Sequence, residues 1–274
     1  MTSKDKIWIL GPCSLESKDI FFEAFSSLSK TMDGRNWYFK SSFDKANRTS
    51  LHGERGPGLE SSIAIWKELK KEFPKVKLIT DVHECWQVEK LAEVIDCIQI
   101  PAFLCRQTDL VVECAKAFGK VNVKKGQWLG PHNLKKSVDK IKETNANCKA
   151  WICDRGSNFG YHELFVNFGI VDELKEYYDK VLLDCTHAIQ RSRAVYGNQG
   201  DRNLAERYLV SADIFGYDGV FAEVHPNPPE AISDGDCQIY LDQIEYLVKM
   251  AEAVSKSAAE LKKLQAEPKK SNHS

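Results

Sequence analysis

Short apolar runs rich in β-branched and aromatic residues alternate with longer stretches of helical period along this chain. Eight runs read as strands: residues 7–10, 37–39, 77–80, 97–100, 121–123, 150–153, 181–184 and 219–223. Between them the apolar spacing lengthens to that of a helix. Residues 61–73 set Ile63, Ile65, Trp66 and Leu69 near one face, and residues 84–94 follow the same period. A strand and then a helix, eight times over, predicts a (β/α)8 barrel rather than an open sheet. We expect one catalytic domain over residues 1–260 and a frayed polar tail over residues 261–274.

The loops of this pattern are unequal. Helix-to-strand links are short, as at Pro74-Lys75 and Gly119-Lys120, whereas residues 44–58, 185–202 and 225–238 make long strand-to-helix links. In a barrel the strand-to-helix loops build the catalytic face. Chemistry-bearing residues gather at these exits: Cys13 after Gly11-Pro12, Lys40, Asp81 with His83, Gln99, Lys124 with Lys125, Asp154-Arg155, Asp184 with His187, and Glu223 with His225. Turn chemistry alone would favour Gly, Asn and Asp there.

At 274 residues the chain suits a single α/β barrel with a large core. Lys plus Arg total 38 against 39 Asp plus Glu, so no global field draws nucleic acid or an anionic membrane, and anion binding must be local. The first residues lack the apolar segment of a signal peptide, and no apolar run is long enough for a membrane span. A cytoplasmic protein is expected. Nine cysteines stand as singletons with no C-x-x-C pair, which fits buried thiols in a reducing compartment.

The densest local charge lies in Lys40-Ser41-Ser42-Phe43-Asp44-Lys45-Ala46-Asn47-Arg48-Thr49-Ser50. Lysine point charges and an arginine fork suit phosphate and carboxylate groups, while Asn47, Thr49 and Ser50 offer neutral hydrogen bonds for sugar hydroxyls. Cys13, His187, Glu223 and Asp234 are candidate metal ligands. They share no local spacing, but a barrel brings distant exits together. A mixed sulfur, nitrogen and oxygen set suits Zn²⁺ or Fe²⁺, with Mn²⁺ or Co²⁺ as further options.

Six segments resemble one family: Gly11-Pro12-Cys13-Ser14-Leu15-Glu16-Ser17; the basic loop from Phe39; Ile100-Pro101-Ala102-Phe103-Leu104-Cys105-Arg106-Gln107-Thr108-Asp109; Val121-Asn122-Val123-Lys124-Lys125-Gly126-Gln127; Asp154-Arg155-Gly156-Ser157-Asn158-Phe159-Gly160-Tyr161; and Asp184-Cys185-Thr186-His187-Ala188-Ile189-Gln190. They are similar to 3-deoxy-D-manno-octulosonate 8-phosphate synthases, over about residues 6–250. The resemblance implies condensation of phosphoenolpyruvate with D-arabinose 5-phosphate, releasing phosphate, for the inner core of lipopolysaccharide.

Cys13 places the chain with the metal-dependent class, which has cysteine where the metal-free class has asparagine. His187, Glu223 and an aspartate of Ser233-Asp234-Gly235-Asp236 complete the implied ligand set, with Asp234 favoured over Asp236. The resemblance further assigns Lys40, Lys45, Lys124 and Arg155, with Gln99 nearby, to phosphoenolpyruvate. Asn47, Arg48 and the hydroxyl of Thr49 or Ser50 go to the pentose phosphate. Arg106 is implied to reach a neighbouring subunit's site, hence a homotetramer. Asp81, His83 and His187 are either proton carriers or orienting groups, so Lys40, Lys45, Asn47, Asp81, His83 and His187 form the candidate catalytic set. His225 is either a site residue or a structural histidine. Two rivals remain at this point. The related shikimate-route synthase takes erythrose 4-phosphate and has proline where this chain has Asn47, and a non-catalytic phosphosugar-binding barrel would lack the metal ligands.

Overall fold

The computed structural model describes residues 6–48 and 50–266. Each of the eight expected runs is a strand: β1 (Ile7–Gly11), β2 (Asn36–Lys40), β3 (Leu78–Asp81), β4 (Cys97–Ile100), β5 (Lys120–Lys124), β6 (Lys149–Asp154), and then, after an unexpected antiparallel hairpin β7 (Ser157–Phe159) and β8 (Glu163–Phe165), β9 (Lys180–Asp184) and β10 (Gly219–His225). The barrel strands pair in parallel in chain order, and β10 closes on β1 with Ile7 opposite Gly219 and Gly11 opposite Glu223. A short β11 (Ile239–Tyr240) extends β10 at the rim.

Nine α-helices follow in the described residues: α1 (Lys18–Thr31), α2 (Leu59–Glu72), α3 (Cys85–Ala92), α4 (Thr108–Ala117), α5 (Pro131–Thr144), α6 (Val171–Tyr177), α7 (Arg193–Tyr196), α8 (Arg202–Ser211) and α9 (Ile244–Ala266). The helix α9 runs past the expected boundary at residue 260 to Ala266, and the rest of the expected tail lies outside the described residues. None of the described helices is long and apolar enough to cross a membrane.

Strand periodicity divides the core in two. Outward positions such as Trp8, Leu10, Ile98, Val121 and Val123 are buried against the helices. Inward positions Ile7, Ile9, Tyr38, Ile79, Cys97, Trp151, Cys153, Leu182 and Phe221 fill the barrel itself. One more step of two along each strand reaches its C-terminal end. There the inward position is Lys40, Asp81, Gln99, Lys124, Arg155, Asp184 or Glu223, so the strand register that packs the interior also aims these polar side chains into one mouth.

Candidate active site

The mouth is a cavity of about 630 Å³ at the C-terminal face. Its floor is built from buried ion pairs. Lys40 Nζ donates to Glu223 Oε1 at 2.6 Å and to the Cys13 carbonyl at 2.7 Å. The β1–β2 approach explains the second contact, since a Cβ on Gly11 would lie 2.0 Å from the Lys40 carbonyl oxygen. Glycine there lets the strand ends close on each other. On the opposite side Lys124 Nζ donates to Asp184 Oδ2 at 2.6 Å and sits 3.0 Å from the centre of the Phe221 ring.

These contacts set the charge states. Burial alone would raise the Asp184 carboxyl, but His187 and Lys124 beside it hold it below the carboxylate range. Glu223 is likewise held down against burial by Lys40, His187 and Lys45, and Asp81 by His83, Lys45 and Lys40. The pocket is therefore an ionised lattice of alternating signs.

Three of the four expected metal ligands converge. Cys13 Sγ, a Glu223 carboxylate oxygen and an Asp234 carboxylate oxygen all lie within 4.8 Å of one another. His187 is not part of that three-residue group: its Nε2 lies 3.5 Å from Glu223 Oε2, at the edge of the cluster, while its Nδ1 is 3.0 Å from Asp184 Oδ1. The donor set fits a divalent cation on two counts. Glu223 Oε2 is buried with no hydrogen-bond partner among the described residues. Asp184 anchors one ring nitrogen of His187 and leaves the other facing the cluster. Burial, followed by the charge of Glu223, pushes the Cys13 thiol well above its ordinary value, as befits a sulfur that ionises only against a cation.

Asp234 is the aspartate at this centre. It has a positive φ of 53°, a strained setting for a non-glycine residue, and it accepts from Ser233 Oγ at 2.7 Å and Gln190 Nε2 at 2.7 Å. Asp236 turns away to Arg193 and the Gln199 amide.

The remaining candidates divide. Lys45, Asn47, Arg48, His83, Gln99 and Arg155 line the same cavity. Arg48 donates to the Ile232 carbonyl at 2.6 Å and to Ser233 Oγ at 2.9 Å, which ties the basic loop to the loop carrying Asp234. Ser50 is exposed outside the cavity, where its hydroxyl accepts from the His52 amide, and Thr49 lies outside the described residues. Arg106 is exposed at the start of α4 and does not line the cavity. His225 is a packing histidine: it is buried, accepts from the Asn227 amide and lies 3.6 Å from Glu16. Cys185, next to Asp184, is buried and packs in the core, and Cys85 alone among the nine cysteines is exposed.

Sequence reasoning missed the part played by Gln190. Its Oε1 accepts from Arg155 at 2.7 Å while its Nε2 donates to Asp234, so one amide bridges Arg155 and the cluster of Cys13, Glu223 and Asp234. It also gave no role to Asp184, although that carboxylate stands in phase with the inward positions of β9.

Comparison with known proteins agrees with this geometry. The chain is similar over residues 2–260 to the family described as the DAHP synthetase I family. It is 41% identical over 253 residues to the 2-dehydro-3-deoxyphosphooctonate aldolase of Fusobacterium nucleatum, covering 91% of this chain and 90% of that protein. It is 42% identical over 262 residues to the protein of that name from Wolinella succinogenes, covering 91% of this chain and 99% of that one. With a family match across nearly its whole length, this chain belongs to the DAHP synthetase I family.

Proposed function

We propose that the chain condenses phosphoenolpyruvate with D-arabinose 5-phosphate and water to 3-deoxy-D-manno-octulosonate 8-phosphate and inorganic phosphate, a step toward the lipopolysaccharide inner core. The observation that carries the reading is the convergence of Lys40, Lys124 and Arg155 in one cavity with Glu223 and Asp234, which the buried Cys13 joins. The relatives named for this product support it over a shikimate-route enzyme, and the gathered ligand set speaks against a binding-only barrel.

The enolpyruvate carries a phosphate and a carboxylate. Arg155 offers a planar fork to the phosphate, and Lys124 at the end of β5 and Lys40 at the end of β2 add point charges. Asn47 and Arg48 at the rim receive the pentose phosphate. C3 of the enol then attacks the aldehyde carbon, water adds at C2, and the tetrahedral phosphate collapses with C–O cleavage. Asp81, whose Oδ2 is 3.2 Å from His83 Nε2, faces the cavity and is placed to pass a proton through that ring. Cys13, His187, Glu223 and Asp234 would hold a divalent ion, Zn²⁺ or Fe²⁺ first among the options, which as a Lewis acid polarises the aldehyde or the water. A homotetramer completes the proposal. The stacked, exposed Phe103 and Trp128 rings, 5.8 Å apart in the same region as Arg106, are apolar surface of the kind a neighbouring subunit covers.

The test is phosphate release measured with arabinose 5-phosphate and erythrose 4-phosphate, each with and without chelator. A higher kcat/KM for the pentose, lost on chelation, supports the proposal. Preference for the tetrose returns the shikimate-route reading, and no release with either sugar returns the binding barrel.

A further inference from the structure

The opposite end of the barrel holds a second charged mouth that the reaction does not use. Stepping two residues back from the interior positions Tyr38, Ile79, Trp151 and Leu182 gives Asn36, Lys77, Lys149 and Lys180, and two back from Asn122 gives Lys120. All five line a cavity of about 710 Å³ at the N-terminal face. Four ammonium groups thus lie at inward register positions. Lys120 and Lys149 are direct cross-strand partners, and Lys180 pairs in register with Trp151 beside them. Like charges set opposite one another destabilise a sheet.

Nearby carboxylates neutralise the ring only in part. Asp96 and Asp179 line the cavity, but Asp96 Oδ2 accepts from the Leu78 amide and pairs with the outer Lys70, and Asp179 Oδ2 accepts from the Ala150 amide and the outer Lys142. Lys149 reaches Asp179 Oδ1 only at 3.6 Å, Lys180 reaches Asp218 at 3.8 Å, and Lys77 donates to the neutral Asn36 Oδ1 at 2.9 Å. Among the described residues Lys120 has no carboxylate within 4.0 Å. Partial burial, followed by the charge of Lys120, lowers the Lys77 ammonium from its ordinary value, with Asp96 opposing. The cavity also borders Tyr38 and Trp151, whose rings meet edge to face at 5.4 Å.

We propose that this N-terminal mouth is a second anion site, taking a small molecule with at least two acidic groups, of the diphosphate or phosphate-carboxylate type. The anion bridges lysines of β5, β6 and β9 across the apolar floor. It stands at the far end of the barrel from the catalytic cavity and does not depend on the activity proposed above.

Inorganic pyrophosphate is a suitable probe, titrated calorimetrically into the full chain at low ionic strength. Two classes of site are expected in the wild type. Lys120→Gln/Lys149→Gln should weaken one of them at least tenfold and leave kcat within about twofold, whereas Arg155→Ala should spare that class and weaken the other. Lys116→Gln/Lys249→Gln removes the same charge from exposed helix surfaces and should spare both. Thermal melting without anion should not fall in the inner pair, because repulsion is relieved; if that pair fails to fold, Lys120→Gln alone should weaken the same class at least threefold. A titration unchanged by the inner substitutions, or weakened equally by the surface pair, overturns the proposal.

Discussion

Lys40 and Glu223 form a buried ion pair of 2.6 Å between the first quarter of the chain and the strand that closes the barrel, and the pair joins the expected substrate cations to the expected metal ligands. Both side chains are essentially excluded from solvent. Removing one partner leaves an uncompensated charge, which costs about 3–5 kcal/mol for buried pairs. Glu223→Gln should therefore lower stability by an amount of that order in urea unfolding, and adding Lys40→Met should recover part of it. Additive losses in the double variant would show that the two charges are not coupled.

The buried carboxylates also predict the acid limit of the fold. Asp81, Asp184 and Glu223 sit below the carboxylate range in the folded protein, so they bind protons more readily once unfolded. Their stabilisation is present above the unfolded value of about 4 and is lost as pH falls through the folded values. The melting temperature should hold steady from about pH 6 to 5 and drop steeply below about 4. Asp184→Asn should melt lower than wild type at neutral pH, and the gap should narrow in acid; a constant gap would remove the proton linkage.

Chelation should abolish turnover, and a divalent ion should restore it. Independently of activity, Cys13→Ala should retain less bound metal than wild type after dialysis, by roughly tenfold or more in affinity, since loss of outer partners alone costs about that much. Full activity in protein stripped of metal would remove the ligand assignment.

Arg155 and Lys124 exit adjacent strands, and their replacement separates charge from geometry. Losing a charge-assisted contact in a water-poor pocket costs about 2–5 kcal/mol when its partner is left unpaired. Lys124→Ala and Arg155→Ala should each lower kcat/KM by roughly tens- to thousands-fold. Arg155→Lys should also be harmful, because it keeps the charge but not the fork that reaches both anion and Gln190. Near-normal steady-state kinetics in these variants, or activity lost in step with unfolding, would move the pocket elsewhere.

Gln190 offers a sharper probe of the same network. Its amide uses both ends at once, so Gln190→Glu turns a donor to Asp234 into a like charge, whereas Gln190→Ala only deletes the bridge. Metal affinity should fall further in Gln190→Glu than in Gln190→Ala, as read by competition with a chromophoric chelator. Equal values would make Gln190 a packing residue.

The barrel was legible in the sequence because it rests on local facts. All eight strands follow from short apolar runs rich in β-branched and aromatic residues, and the unequal loops identify the catalytic face. The exit residues Lys40, Asp81, Gln99, Lys124 and Glu223 were readable for the same reason, since strand register alone aims them inward. Tertiary structure decided what register does not encode. Asp234, already favoured over Asp236 by resemblance, was set at the cluster by a backbone turn with positive φ, and the hairpin of β7 and β8 lay hidden in a polar, glycine-containing stretch without a strong apolar period. Gln190 and Asp184 gained their roles only when residues 35 to 60 positions away arrived beside them. A neutral amide carries no chemical signature along the chain, and its function is fixed by which donors and acceptors folding places within 3 Å.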